Sequence, residues 1–330
     1  MHGCMSAADF QSALNPAASE SAHIAHLWWT FFWVMLVIFA LVAIFLFIAI
    51  LRNVRRAPED PQLPVLPEPT QATESRATSV VSGLVVFTVL ILFALLIGDF
   101  FTGNAIYATP DPNALAIKII GHQWWWEVQY QDPQPSEIVT TANEIHVPVG
   151  KPVKLELQSS DVIHSFWVPN IHGKKDLVPG HPTTTWFTAR RTGEFRGQCA
   201  EYCGEQHAHM RMVFVAETPD AFSTWLTAQK KSATEPMSDS QRRGRDVFLA
   251  SQCVMCHTIQ GTKARATLGP DLTHIGGRKM IAAGELPNTR GYLAGWILNA
   301  SALKPGVRMP PNQLSSDDLN SLLDYLESLK

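Results

Sequence analysis

Two stretches of the chain carry no charge. Residues 27–51 read LWWTFFWVMLVIFALVAIFLFIAIL, and residues 80–98 read VVSGLVVFTVLILFALLIG. About 20 consecutive apolar residues are what a helix needs to cross the hydrocarbon core of a bilayer. Both stretches therefore predict transmembrane helices rather than buried helices of a soluble core. Trp28 and Trp29 sit at one end of the first, where amphipathic rings favour the headgroup layer, and Arg52, Arg55 and Arg56 sit at the other. Positive flanks stay on the cytoplasmic side, which predicts that the N-terminus and everything after Asp99 lie outside. The intervening PEDPQLPVLPEPTQATESR is Pro-rich and polar and predicts a surface connection. Residues 1–26 are polar, with no apolar core of the signal-peptide kind.

The pattern then changes period. AIKIIGHQWWWEVQY, EIHVPVGKPVKLELQSS, HSFWVP and TTTWFTAR are short runs rich in β-branched and aromatic residues, punctuated by Gly and Pro. They predict an all-β sandwich or barrel over residues 116–215. Residues 220–229 predict a short helix, and KKSATEPMSDSQ a polar linker. From residue 241 to 330 the segments GRDVFLASQ, GYLAGWILNA and SSDDLNSLLDYLESLK predict mainly helix. Ser316 is placed to cap the last of them, with acidic residues in its first turn. The expected fold class is a multidomain membrane protein. It has an N-terminal extramembrane segment (1–26), a two-helix transmembrane hairpin (27–98), an all-β domain (99–228), a linker (229–240) and an all-α domain (241–330).

Composition narrows the function. Lys and Arg total 26 against 29 Asp and Glu, a formal charge of −3, so the basic surplus of a nucleic-acid binder is missing. Five Cys are too few for a disulfide scaffold in 330 residues. Four of them fall into two close pairs, and that spacing carries the chemistry. The fifth, Cys4, reads as an uninvolved residue, with lipid attachment as the alternative if the chain is part of a longer precursor.

The first pair lies in GQCAEYCGEQHAHM: Cys199, Cys203, His207 and Met210, with His164 upstream on a strand-like run. Thiolate, imidazole and a weak thioether together suit copper, and a mononuclear electron-transfer site needs two His and one Cys with a distant Met. Cys199 is one thiolate too many for that, so two bridging thiolates and a dinuclear copper centre are the economical reading. A disulfide or a structural zinc site remains the alternative.

The second pair is Cys253-Val254-Met255-Cys256-His257, a C-x-x-C-H run that attaches haem through two thioethers with the His as iron ligand. LGPDL places the Pro270 carbonyl to take the His257 ring N–H. RMPPN offers Met309 as the sixth ligand, ahead of Met280 and His274; Met/His ligation raises the reduction potential. A redox dithiol or half of a zinc site is the competing reading.

The order hairpin, GHQWWWEVQY, DVIHSFWVP, CAEYCGEQHAHM resembles subunit II of haem–copper cytochrome c oxidases, and the fused C-x-x-C-H domain resembles the bacterial variant with a tethered cytochrome c. The resemblance implies a cupredoxin-like copper domain and a cytochrome c domain. It implies that His164, Cys199, Cys203, His207 and Met210 are dinuclear copper ligands, with the Glu201 backbone carbonyl completing the set. It further implies that the Glu201 carboxylate shares a magnesium ion with subunit I, and that Trp124 is where electrons arrive. Trp125 stands where the family more often has Tyr, and His181 stands where it usually has Arg. Glu74 is the nearest candidate for the family's acid at the mouth of a proton path. Other His residues, among them His122, His146, His172 and His209, read as surface or packing groups.

The expected function is the electron-receiving subunit of a cytochrome c oxidase in a bacterial inner membrane, its folded domains in the periplasm. Its expected partners are subunits I and III and an external donor, and no nucleic acid. Two other readings compete: an electron-transfer module for a nitric-oxide or nitrous-oxide reductase, and a copper-delivery protein with a haem sensor.

Overall fold

The computed structural model describes residues 11–54, 70–107 and 111–330. Cys4, Arg55 and Arg56 lie outside the described residues. Residues 23–108 form one unit, and the segment before residue 23 forms a second with everything from residue 109 onward.

The first unit is two long helices, α1 (Ser19–Val54) and α2 (Gln71–Ile106), of 36 residues each. At 1.5 Å per residue each is about 54 Å long, well beyond a hydrocarbon core of about 30 Å. The apolar stretches thus mark only the part of each helix that lipid would surround. The helices continue past them because the flanking sequence contains no proline. Thr70 caps α2 by accepting from the Thr73 amide. The apolar side chains are left uncovered, Phe39 at 70% and Phe45 at 75% exposure. Such surface is removed from water only by a bilayer or by other subunits.

The second unit begins with a β-sandwich. One sheet has the order β3-β2-β1-β5-β8, the other β4-β10-β9-β6-β7. The strands are β1 (Leu115–His122), β2 (Trp125–Tyr130), β3 (Val139–Ala142), β4 (Glu144–Pro148), β5 (Pro152–Ser159), β6 (His164–Trp167), β7 (Lys175–Leu177), β8 (Thr183–Thr188), β9 (Gly193–Cys199) and β10 (Arg211–Glu217). Alternating positions of β1 and β2, such as Ile117, Ile119, Trp126, Val128 and Tyr130, turn inward and are fully buried. They meet Phe166, Phe195 and Phe214 from the opposite sheet. Helix α3 (Pro219–Gln229), capped by Thr218, closes one side, with Trp225 set edge-on to Tyr130 at 5.2 Å. The segment before residue 23 is stitched to this sandwich: Ala17 N–H donates to the Asn170 carbonyl and Arg190 N–H to the Ala17 carbonyl, both at 2.7 Å.

The C-terminal domain comprises α4 (Asp239–Ala250), a 3₁₀ turn at Gln252–Met255, the short pair β11 (Met280–Ile281) and β12 (Leu286–Pro287), α5 (Arg290–Leu303) and α6 (Ser316–Ser328). A capping box between Ser238 and Gln241 starts α4. The cap of α6 is Ser315, not Ser316: its hydroxyl accepts from the Asp318 amide, the third helical position, while Ser316 is already helical. Helices α4 and α6 cross closely at Gly244, where a Cβ would overlap the Ser321 carbonyl. Phe248, Leu322, Leu323 and Tyr325 fill the core between them.

Candidate metal centres

Strands β9 and β10 are antiparallel neighbours, joined by the loop that holds the first Cys pair. Cys199 ends β9, and its N–H donates to the Met210 carbonyl at 2.8 Å, so the loop is closed at its base. His164 opens β6, the next strand of the same sheet, with Phe166 opposite Cys199. The ligand candidates thus gather at one end of one sheet. His164, Cys199, Cys203 and Met210 are buried. Gly121 on β1 makes room: a Cβ there would come within 2.8 Å of the His164 ring.

The thiols are free rather than joined, with Sγ atoms 3.7 Å apart. His164 Nδ1 lies 3.8 Å from Cys199 Sγ, and His207 Nδ1 lies 3.6 Å from Cys203 Sγ. Met210 Sδ is 3.9 Å from Cys203 Sγ, and the Glu201 carbonyl is 3.2 Å from Cys199 Sγ. With metal bonds of about 2.3 Å to sulfur and about 2.0 Å to imidazole, tetrahedral geometry puts ligand atoms roughly 3.5–3.8 Å apart. The thiol and imidazole spacings fit that range. Each Cys has its own His, and the thioether lies on the Cys203 side only. This donor set suits two soft metal ions sharing two thiolates, where a single zinc would leave the thioether without use.

The electrostatics are those of a preformed ligand set. The Cys203 thiol, directed at Cys199, holds the Cys199 pKa well below the usual thiol range although burial opposes it. Cys203 itself is pushed up, because it would ionise beside that charge and away from water. Asp161 Oδ1 meets His164 Nε2 at 2.8 Å. Burial raises the Asp161 pKa, but its bonds to His164 and to the Val162 and Gln123 amides outweigh this, so it stays ionised and only accepts. The Nε2 proton is therefore fixed, and Nδ1 is turned toward Cys199.

Asp161 was not singled out from sequence; its only signal is its place three residues before His164. Gln123 was missed too. Its Nε2 donates to the Cys203 carbonyl at 2.8 Å, beside Trp124 Nε1 at 3.0 Å. Trp124 is half-buried and packs on the sandwich core. Trp126 is fully buried core, and Trp125 stacks on His122 at 4.3 Å. Glu201 is half-exposed, with Lys174 Nζ 3.9 Å from its carboxylate. His181 is exposed, and Glu74 is exposed in the first turn of α2.

In the C-terminal domain Cys253 and Cys256 are free thiols on and just after the 3₁₀ turn. The expected hydrogen bond from His257 Nδ1 to the Pro270 carbonyl is present at 2.7 Å. A carbonyl only accepts, so Nδ1 carries the proton and Nε2 is left with a lone pair. Burial lowers the His257 pKa, which keeps that lone pair available. Gly269 lies against this ring, where a Cβ would come within 2.7 Å of Cε1. This donor set fits covalent haem. Met309 is half-buried on its loop. His274 is buried and engaged with the Lys231 carbonyl at 3.0 Å, and Met280 sits in β11.

The comparisons with known proteins match the two domains that carry these residues. A family profile described as cytochrome c oxidase subunit II, periplasmic domain, matches residues 134–217, and one described as cytochrome c matches residues 241–330. The chain is 38% identical over 248 residues to cytochrome c oxidase subunit 2 of Alkalihalophilus pseudofirmus, spanning 73% of this chain and 70% of that one. It is 30% identical over 229 residues to cytochrome c oxidase subunit 2 of Bacillus subtilis, spanning 66% and 63%. Among solved structures, the periplasmic domain of subunit II of cytochrome oxidase (CoxB) of Bradyrhizobium japonicum aligns at 34% identity. That alignment covers 36% of this chain and 96% of that chain, with a TM-score of 0.34.

Proposed function

Because the chain belongs to the cytochrome c oxidase subunit 2 family and carries a cytochrome c domain after its copper-domain fold, we propose that it is the electron-receiving subunit of a bacterial haem–copper oxidase. On this reading residues 241–330 would hold a haem c that takes electrons from an external donor, and the β domain a dinuclear copper centre that hands them to the haem of subunit I, where oxygen would be reduced to water with proton translocation. Helices α1 and α2 anchor the chain in the inner membrane, with the folded domains in the periplasm. Subunits I and III are the membrane partners.

The observation that carries this reading is the convergence of two thiols, each with its own imidazole, in a buried pocket at one sheet end. When bound, the copper pair and haem c take up and release single electrons. The chain's residues do the rest. Cys199, Cys203, His164, His207, Met210 and the Glu201 carbonyl would hold the copper pair. Asp161 keeps His164 in the tautomer that points Nδ1 at the metal. Burial in the sandwich excludes water and fixes the ligand frame, which keeps reorganisation small. Cys253 and Cys256 would attach the haem, His257 would offer Nε2 to its iron, and Met309 would be the second protein ligand. Trp124 links the surface to Cys203 through its indole N–H, which supports its role as the point where electrons arrive. The half-exposed Glu201 carboxylate is available to share a magnesium ion with subunit I.

The test is metal and optical analysis of the native complex. Two coppers and one haem c per chain are expected, together with an oxidase subunit I. Cys199→Ser should abolish electron flow beyond haem c while leaving the haem spectrum intact. A single metal, a sulfur–sulfur bond, or unchanged flow in that variant would overturn the reading. Co-purification with a nitric-oxide or nitrous-oxide reductase would redirect it.

A further inference from the structure

The first half of the loop that carries His207 and Met210 is held by its own domain: Gln123 Nε2 and Trp124 Nε1 donate to the Cys203 carbonyl, and Ala200 N–H donates to the Ser165 carbonyl. The loop contains one 3₁₀ turn, His207–His209, and is tied at its base by the Cys199 N–H. Its second half, residues 206–211, is gripped from the C-terminal domain. Lys304, directly after α5, is only 3% exposed. Its Nζ donates to the His209 carbonyl at 2.7 Å and to the Ala282 carbonyl at 3.1 Å, one from each domain. The next residue, Pro305, accepts from Gln206 Nε2 at 2.5 Å. Glu285 holds His209 Nδ1 and Arg211 Nη1 with its two carboxylate oxygens, both at 2.9 Å. Arg211 N–H donates to the Ala283 carbonyl at 2.9 Å. Gln206, His209 and Arg211 immediately flank the two ligand candidates, and all three are gripped from the other domain.

A lysine this deeply buried is uncommon, because removing the ammonium from water is costly unless it is paired. Burial pulls the Lys304 pKa down to about 8 even with Glu285 nearby. Its cost is offset by ordering backbone on both sides of a domain boundary. Packing alone would be served as well by an apolar side chain of the same length.

We propose that Lys304 is a positioning residue for the copper centre: the haem domain clamps residues 206–211 and so completes the ligand loop of its neighbour. The inference rests on reading residues 199–210 as the copper site. A clamped loop reaches its binding geometry before the metal arrives, so the entropy of ordering it is not charged against metal binding. Copper retention thus depends on a domain that supplies no copper ligand.

The test uses the full chain in detergent, with Lys304→Met, which keeps length and removes the donors. Hydrogen exchange of amides 206–211 is measured on copper-free protein. Copper loss to a chelator is measured on loaded protein. The variant should show several-fold faster exchange in that loop and several-fold faster copper loss, with the haem c spectrum unchanged. Glu285→Ala, which releases the other grip, should act in the same direction and decides the matter if Lys304→Met fails to fold. Wild-type exchange and wild-type copper loss in a variant with an intact haem spectrum would overturn the clamp. Should the chain bind no copper pair, the functional reading falls, while the exchange result still decides whether the loop is clamped.

Discussion

Asp161 shows how much of the proposed copper centre depends on a residue outside the ligand set. Its carboxylate fixes the His164 ring and accepts the Gln123 amide at 2.7 Å, so one side chain sets both a ligand and the turn that carries Trp124. Asp161→Asn keeps the size but offers a competing donor. Copper affinity in a chelator competition should fall by about 10–100-fold, the usual effect of losing such a partner. An unchanged affinity would show that packing alone orients His164. A second buried cluster concerns stability. His146 bonds Glu144 at 2.8 Å and Glu217 at 2.9 Å. Burial pulls its pKa down, but the two carboxylates outweigh this and raise it, while Glu144 ends up lowered against its own burial. A raised histidine stabilises fully below its unfolded pKa of about 6.5 and loses that contribution as pH rises through the folded value. The lowered Glu144 contributes above its unfolded pKa of about 4.3 and fades as pH falls through its folded value. The melting-temperature difference between wild type and His146→Gln should therefore be largest at mildly acidic pH and shrink toward alkaline pH. A difference flat across that range would remove His146 from the account. From sequence alone His146 reads as a surface or packing group, because nothing local signals that Glu217 comes from a distant strand.

At the scale of elements, what could be read from the chain was what depends on period. Uncharged runs marked the lipid-crossing parts of α1 and α2, and alternation marked the strands, because these follow from one solvent boundary each. Helix ends follow from single hydrogen bonds and were less legible. Ser315 and Ser316 are equally plausible caps until the reach to the Asp318 amide is known. The Cys pairs were legible because their spacing is local. The partners Asp161, Gln123 and Lys304 were not, since their roles exist only once β1, β6, the ligand loop and α5 are brought together. The crossing of α4 and α6 gives an element-scale prediction. Gly244→Ala places a methyl group against the Ser321 backbone, which cannot yield as a flexible side chain would. Overpacking of this kind costs about 1–3 kcal/mol. The haem-domain melting transition should fall accordingly while the β-domain transition stays in place; an unaltered haem-domain transition would mean that the helices separate without cost.

At the scale of the molecule, the segment between α3 and α4 matters most. The sequence reads it as a polar linker, and a polar linker suggests a swinging arm. Instead Ala233 N–H donates to the Gln260 carbonyl at 3.0 Å, and the Lys231 carbonyl takes His274 at 3.0 Å. The strap therefore lies along the domain it leads to. On the far side Arg308, next to Met309, donates to Gln123 at 2.8 Å, and Lys279 pairs with Glu194. A cytochrome domain bonded to its own strap and docked on its neighbour is not held as a free swinging arm. On the proposed function the reductant has to come to it, so turnover at low donor supply would be governed by visitors colliding with a stationary terminal, and lengthening the strap would bring no gain in range until the contacts with the β domain were cut.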